Sequence, residues 1–201
     1  MILPESFYTR KDVVKIAQEL LGKVLVTRFD GILTSGIITE TEAYAGVSDK
    51  ASHAYGGRRT KRTDIMFWQG GVAYVYLCYG IHHLFNVVTN KADVPHAVLI
   101  RAIEPLEGIE CMLKRRGKEK LTPALTAGPG ALSGALGIYT THTGKLLSGA
   151  DSITIEDRGI NIKPKDIIAS KRIGVDYAKE DALLPYRFYI RDNKYVSKSK
   201  Q

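Results

Sequence analysis

The sequence predicts an α+β fold, a single domain built on a mostly antiparallel β-sheet. Strand-like segments outnumber helical ones, and Asp30-Gly31, a dipeptide typical of hairpin turns, separates the first two of them. The 201 residues contain no internal repeat and no linker of the kind that separates domains. Residues 1–201 are therefore predicted to form one domain.

The individual elements follow from local patterns. Residues 10–21 are predicted to be helical, because apolar side chains recur at i, i+3 and i+4 and a glycine follows. Residues 45–69 are polar and glycine-containing, which predicts a long loop that serves a site. Two further helices are predicted at 107–116 and 132–136, and strands at 23–28, 32–44, 72–79, 84–89, 96–103, 152–156, 167–170 and 187–191.

Composition excludes several classes of protein. A hydrophobic content of 44% is too high for general disorder, and no apolar run is long enough to span a bilayer. The N-terminus lacks the pattern of a secretory signal. Cys78 and Cys111 cannot build a disulfide framework, and there is no CxxC motif. We therefore expect an intracellular protein without a membrane partner.

Charge gives the first positive indication of function. The formal net charge is +8, with a sequence pI near 9.4. Basic residues cluster at 58–62 and at 114–120. Such clusters are typical of nucleic-acid-binding domains, although they also occur where charge serves only solubility.

The predicted strand 32–44 ends in an unusual acidic pattern. Because side chains alternate along a strand, Glu40, Glu42 and Tyr44 are expected to share one face. A carboxylate pair is the catalytic arrangement of glycosidases. The structural alternative is an edge strand with a solvated acidic face.

Three further side-chain types stand out in otherwise apolar strands. Tyr74 and Tyr76 share a face and would suit stacking on bases, or ordinary cross-strand packing. Arg101 lies in the apolar run 97–103 and needs an anionic partner, with a salt bridge to Glu40 or Glu104 as the structural alternative. An asparagine at position 86 would most often satisfy backbone groups.

Sequence signals for metal or nucleotide sites are missing. The five histidines have no metal-ligand spacing, and there is no P-loop, dinucleotide fingerprint or GxSxG motif. No metal and no cofactor is expected.

Taken together, the motifs resemble a specific family. The segments ITETEAYAGVSDKASH, GGRRTKRT, MFWQGGVAYVYLCYGIHHLFNVV and VLIRAIEPLEG occur in that order, followed by AGPGALSGALGI, RIGV and PYRFYIR. This set is similar to the alkyladenine (3-methyladenine) DNA glycosylase family, and the likeness covers most of the chain. It implies a curved sheet with flanking helices and a protruding β-hairpin.

The resemblance also implies an activity. Family members flip a damaged purine out of duplex DNA and hydrolyse its N-glycosidic bond, which leaves an abasic site. No lysine matches a Schiff-base role, so a monofunctional enzyme is expected. The implied partner is double-stranded DNA with a damaged purine, bound by a monomer.

The resemblance assigns roles to nine residues of this chain. Glu42 matches the general base that activates water, and Arg101 matches the residue that helps hold that water. The remaining matches are Tyr44, His53 and Tyr76 for stacking on the base, Asn86 for crowding the purine 2-position, Tyr79 for the wedge inserted into DNA, and Arg58 and Arg62 for phosphate contacts.

Some positions depart from the family pattern, namely Lys61, Asp64, the Ile81-His82-His83 continuation of the hairpin, and Ala131. These departures bear on DNA affinity and leave the catalytic matches untouched. Two other functions stay open from the residues: a non-catalytic nucleic-acid-binding module, and a small-molecule glycosidase or nucleosidase that uses the carboxylate pair.

Overall fold

The fold is organised around one antiparallel sheet. The computed structural model describes residues 1–149 and 151–198. These ranges hold the helices α1 (Glu5–Tyr8), α2 (Val13–Glu19), α3 (Ile109–Arg116) and α4 (Pro129–Leu136), and the strands β1 (Val24–Phe29), β2 (Ile32–Tyr44), β3 (Ala73–Cys78), β4 (His82–Thr89), β5 (His96–Glu107), β6 (Ile153–Glu156), β7 (Ile167–Ser170) and β8 (Arg187–Ile190). Short 3-10 helices occupy Gly46–Ser48, Tyr55–Gly57, Asp64–Phe67, Pro123–Leu125, Thr140–His142, Pro164–Asp166 and Asp176–Leu183.

The strand order is β3-β4-β5-β2-β1-β6, and β8 joins β2 and pairs with β7 on its other side. Every pairing between these strands is antiparallel, and the sheet is curved, which confirms the predicted α+β class. The predicted hairpin is present, with Phe29 opposite Ile32 across the Asp30-Gly31 turn. The strand β2 is central, because β5 pairs along one edge while β1 and then β8 pair along the other.

The main core lies between this sheet and the helices. On α2, Ile16 and Ala17 are buried, and the Ala17 carbonyl accepts a hydrogen bond of 2.8 Å from the Thr41 hydroxyl of β2. This contact ties the helix to the part of β2 that carries the acidic pattern. The helix is shorter than predicted at both ends: the Asp12 side chain caps its N-terminus at the Lys15 amide, and the helix ends at Glu19.

Other boundaries also differ from the prediction. The strand β5 continues to Glu107, and α3 therefore begins only after Gly108, whose φ of 71° is a left-handed conformation that suits glycine. The helix α1 was not predicted, since one turn leaves no periodic pattern. The segment 45–69 is not structureless, as it holds three 3-10 helices. In the described part of the chain, no helix has the length and apolar character needed to cross a membrane.

Candidate active site

A buried group of charged side chains lies where β2, β5 and β8 meet. We call it the carboxylate cluster, and it comprises the charged side chains of Glu40, Glu42, Arg101 and Arg187 together with the polar Ser197. Glu40 is 0% exposed and accepts hydrogen bonds from Arg101 Nε at 3.0 Å and Arg187 Nε at 2.6 Å. The hydroxyl and amide of Ser197 donate to it at 2.8 and 2.7 Å. Its charge is thus fully matched within the chain.

Glu42 is also 0% exposed but has a different set of partners. Its Oε2 accepts the Tyr44 hydroxyl at 2.8 Å and lies 3.2 Å from Arg101 Nη1, while its Oε1 accepts the Ile173 amide at 2.8 Å. The edge-strand alternative is therefore wrong, since both carboxylates are buried on a central strand. The salt bridge considered for Arg101 does form with Glu40, and a second one forms with Glu42.

A second buried ion pair positions the amide that contacts Glu42. Arg172 binds Asp49 through both terminal nitrogens, at 2.6 and 2.9 Å, and donates to the Ala43 carbonyl at 2.9 Å. Such a bidentate pair fixes orientation as well as distance. It holds the turn after β2 against the segment that carries Ile173. The residue patterns did not reveal this pair, because its partners are 123 residues apart.

Beyond Glu42 lies a small cavity that we call the aromatic pocket. Its lining brings together four predicted site residues, Tyr44, His53, Tyr76 and Asn86, and adds Ala51, Met66, Tyr74, Ala97 and Tyr177. The ring centroids of His53 and Tyr76 lie 4.7 Å apart, and His53 Nδ1 is 2.9 Å from the Tyr74 hydroxyl. The pocket is small, with a volume of about 30 Å³.

Burial sets the protonation states in this pocket. The pKa of His53 falls from its ordinary value of 6.5 to about 4, first because burial disfavours the charged ring and then because Arg62 and Arg58 are nearby. Burial also raises the pKa values of Tyr44 and Tyr76. At neutral pH the pocket therefore presents a neutral imidazole and protonated phenols.

Asn86 has a double role in the geometry. Its Nδ2 donates to the carbonyls of Tyr74 at 3.1 Å and Leu84 at 3.2 Å, so the expected satisfaction of backbone groups is present. The side chain also lines the aromatic pocket.

The mouth of the pocket carries uncompensated positive charge. An open cavity of about 440 Å³ lies outside it, lined by Arg58, Arg62, Lys50, Ser52, His53, Tyr55, Thr60, Thr63 and Tyr177. Among the residues described, no carboxylate lies within salt-bridge distance of Arg58 or Arg62. Arg59, by contrast, pairs with Asp64 at 2.7 Å and with Asp93 at 3.0 Å. The negative charge noted at Asp64 is thus neutralised locally.

The hairpin of β3 and β4 presents an apolar tip. Tyr79 is 92% exposed and has a φ of 51°, and Ile81 beside it is 70% exposed. Tyr79 thus lies between β3 and β4 at the tip of the hairpin, and it does not line the aromatic pocket. His83 is one of the residues that depart from the family pattern, and it packs against the segment 139–140. Its Nδ1 accepts a hydrogen bond of 3.2 Å from the Thr140 amide, and its ring contacts the Tyr139 ring edge-on.

The arrangement suits acid–base chemistry by a carboxylate next to an aromatic cavity. Within the ranges that the structure describes, no group of three or more histidine, cysteine, aspartate or glutamate side chains is placed to hold a metal ion.

Comparison with known proteins shows which family the chain is similar to. A family model described as Methylpurine-DNA glycosylase (MPG) matches residues 6–194. A relative from Clostridium perfringens strain 13 is 46% identical, and one from Bacillus cereus strain G9842 is 48% identical, each alignment covering 98% of this chain and 100% of the relative. A Chlamydia abortus relative is 48% identical over 94% of this chain and 98% of its own length. All three bear the name "Putative 3-methyladenine DNA glycosylase".

These matches first define the class, which is that of the DNA glycosylases, enzymes that act on DNA. More particularly, the chain belongs to the methylpurine-DNA glycosylase family.

Proposed function

We propose that this chain, acting as one domain, is a monofunctional 3-methyladenine DNA glycosylase that removes damaged purines from duplex DNA. The observation that carries the mechanism is the position of Glu42, a buried carboxylate linked through the Tyr44 hydroxyl to a pocket of aromatic rings. The names of the relatives support the substrate class.

The damaged base would be recognised outside the DNA stack. A base within a duplex is out of reach of a buried carboxylate, so it must be flipped out. Tyr79, exposed at the hairpin tip, is suited to fill the gap that the base leaves. Tyr44, His53 and Tyr76 then stack on the flipped base. Because alkylated purines carry positive charge, electron-rich phenol faces favour them over normal bases.

Hydrolysis follows from the carboxylate. A water oxygen attacks C1′ of the sugar while the N-glycosidic bond breaks, and the electron pair leaves with the purine. Glu42 takes the proton from the water, and its charge stabilises the oxocarbenium-like sugar. Arg101, which bridges Glu42 and Glu40, holds the carboxylate in place and helps to orient the water. Asn86 at the pocket wall would crowd the 2-position of guanine.

Binding to DNA would depend on the free cations. Arg58 and Arg62 line the open cavity at the pocket mouth and would contact DNA phosphates there. One lesion presents one site without symmetry, which favours a monomer on the duplex. The chemistry requires no metal or cofactor, and DNA as the substrate favours an intracellular location.

The test is base excision in the absence of added metal. The wild-type protein is incubated with end-labelled duplexes that carry 3-methyladenine, hypoxanthine or ethenoadenine, and hot alkali reveals abasic sites. We expect alkali-dependent cleavage of at least the alkylated duplex by the wild type. We expect excision by Glu42→Gln to be about 10²- to 10⁴-fold slower, because the general base is lost. Glu119→Gln, which changes an exposed carboxylate far from β2 in sequence, is the matched control and should equal the wild type.

Two additions to this assay, a measurement of duplex binding and an incubation with free nucleosides, separate the other two functions. A non-catalytic binding module would bind the duplexes and leave all of them intact. A small-molecule nucleosidase would cleave free nucleosides and would be insensitive to neutralisation of Arg58 and Arg62. Excision by Glu42→Gln at the wild-type rate would contradict the catalytic assignment and direct attention to Glu40.

A further inference from the structure

We propose that Arg62 is a specificity-determining residue: it covers the cation-binding face of Tyr76 in the DNA-free protein, and it yields this face to a damaged base only when DNA phosphates draw it away. The inference rests on the proposed function and extends it to the regulation of the same pocket.

The geometry directly supports the covering of the Tyr76 ring by Arg62. The guanidinium carbon of Arg62 lies 5.0 Å from the centroid of the Tyr76 ring, within the range of a cation–π contact. Tyr76 lines the aromatic pocket, and Arg62 lines the outer cavity, so the contact spans the boundary between the two. Arg62 thus takes the kind of position that a positively charged purine would need over the same ring.

The absence of a competing anion makes the contact exchangeable. In the described part of the chain, Arg62 has no carboxylate within salt-bridge distance, whereas its neighbour Arg59 is held by Asp64 and Asp93. A guanidinium binds a phosphate through charge-assisted, often bidentate hydrogen bonds, which are stronger than an exposed cation–π contact. A bound DNA backbone is therefore able to remove Arg62 from Tyr76.

Two consequences follow for selectivity. Free methylated nucleosides and bases meet a covered ring and a like charge, so they are weak competitors of damaged DNA. On a duplex, the phosphate contact uncovers Tyr76 and removes the nearby positive charge at the step when the base enters. Binding to the backbone and access to the pocket are thereby coupled through one side chain.

The test measures binding without catalysis. The probe is 7-methylguanosine at mildly acidic pH, where its purine is cationic, with inosine as the neutral comparison and equilibrium dialysis as the measurement. Without DNA, Arg62→Ala is expected to bind 7-methylguanosine about 3- to 10-fold more tightly than the wild type, with a smaller gain for inosine. Arg59→Ala is the matched control, because it removes an equal charge from the same loop, and should bind as the wild type does.

A second measurement, of binding to undamaged duplex DNA, is expected to change in the opposite direction. Arg62→Ala should bind an undamaged duplex several-fold more weakly than the wild type, because a phosphate contact is lost. A residue with only a phosphate contact would weaken duplex binding and leave nucleoside binding unchanged.

Unchanged or weaker binding of 7-methylguanosine by Arg62→Ala would overturn the proposal, and so would a failure of both proteins to bind it. Failure of the proposed function is distinguishable, since it would appear as a wild-type protein that excises no base. The nucleoside measurement does not depend on that outcome.

Discussion

The carboxylate cluster and the basic loop, residues 58–62, differ in how their charged side chains are paired. In the cluster, two glutamates face two arginines in the interior, and each carboxylate has a guanidinium partner. In the loop, Arg59 is paired, while Arg58 and Arg62 are left without a carboxylate among the described residues. The cluster balances its charge within the chain, and the loop leaves charge for a ligand.

The two glutamates of β2 also differ in how completely charged partners occupy their oxygens. Glu40 has its oxygens taken by two guanidiniums and by Ser197. Glu42 has one guanidinium, a tyrosine hydroxyl and one backbone amide, and the hydroxyl belongs to the pocket wall. Both glutamates are buried, so burial alone does not rank them. Only Glu42 is linked to a cavity, and this link supports its proposed catalytic role.

The largest effect on stability is expected from breaking the cluster at Glu40. Glu40→Gln leaves Arg187 buried without a carboxylate partner, which typically costs about 3–5 kcal/mol of the free energy of unfolding. Urea denaturation at neutral pH measures this loss. Glu42→Gln should lose less, because Arg101 keeps Glu40 as its partner. Equal stability of the two variants would show that the glutamates do not differ in the way described.

A smaller effect is expected at His53, where the pocket meets the loop. Its pKa in the folded protein is about 4 and its ordinary value is 6.5, so the unfolded chain takes up a proton first as the pH falls. The stability contributed by keeping His53 neutral is therefore present above pH 6.5 and is lost as the pH falls toward 4. At pH 5 the loss should be about 2 kcal/mol.

The measurement compares urea unfolding of the wild type and His53→Gln at pH 7 and pH 5. His96 and His142 also have lowered pKa values, and they contribute equally to both proteins. The wild type should lose more stability on acidification than the variant. Identical losses would mean that the environment of His53 does not disfavour its protonation.

The smallest expected effect is on the salt dependence of DNA binding, and it tests the difference between the paired and the free arginines of the loop. Arg58→Ala should reduce the slope of log affinity for duplex DNA against log salt by about 1, because one phosphate contact is lost. Arg59→Ala should leave the slope unchanged, since Asp64 and Asp93 already neutralise that side chain. Filter binding over a salt series measures both, and a larger change for Arg59 would contradict the division of the loop into paired and free cations.

Local sequence patterns predicted much of the fold. The bounds of β2 were predicted correctly, because a run rich in isoleucine and threonine follows a clear turn signal. The helix predicted at residues 10–21 was too long. The observed helix begins only after the Asp12 cap and ends at Glu19, although the apolar spacing continues through Leu20 and Leu21. The one-turn helix α1 leaves no periodic pattern, and the extension of β5 to Glu107 depends on its pairing with Ser35 and Gly36 of β2, which no local pattern records.

The site was predictable where neighbouring residues carry it. The pattern of β2 indicated that Glu40 and Glu42 belong together, but it could not rank them, and only the family resemblance pointed to Glu42. The difference between them comes from Arg187 and Ser197, which lie 147 and 157 residues from Glu40. Tyr177 and the Arg172–Asp49 pair were missed for the same reason. The catalytic roles themselves stay predictions.

The central position of β2 also limits where this chain can change in length. Its thirteen residues deliver Glu40 to one environment and Glu42 to another, and its pairing with β5 already shifts register at three points. One residue inserted or deleted between positions 32 and 44 would send side chains to the opposite face and separate the carboxylates from their partners. Alignments with the relatives extend to 205 and 207 positions, so lengths do vary in this family. We expect that variation in turns such as Asp30-Gly31, outside the strand that sets the spacing of the site.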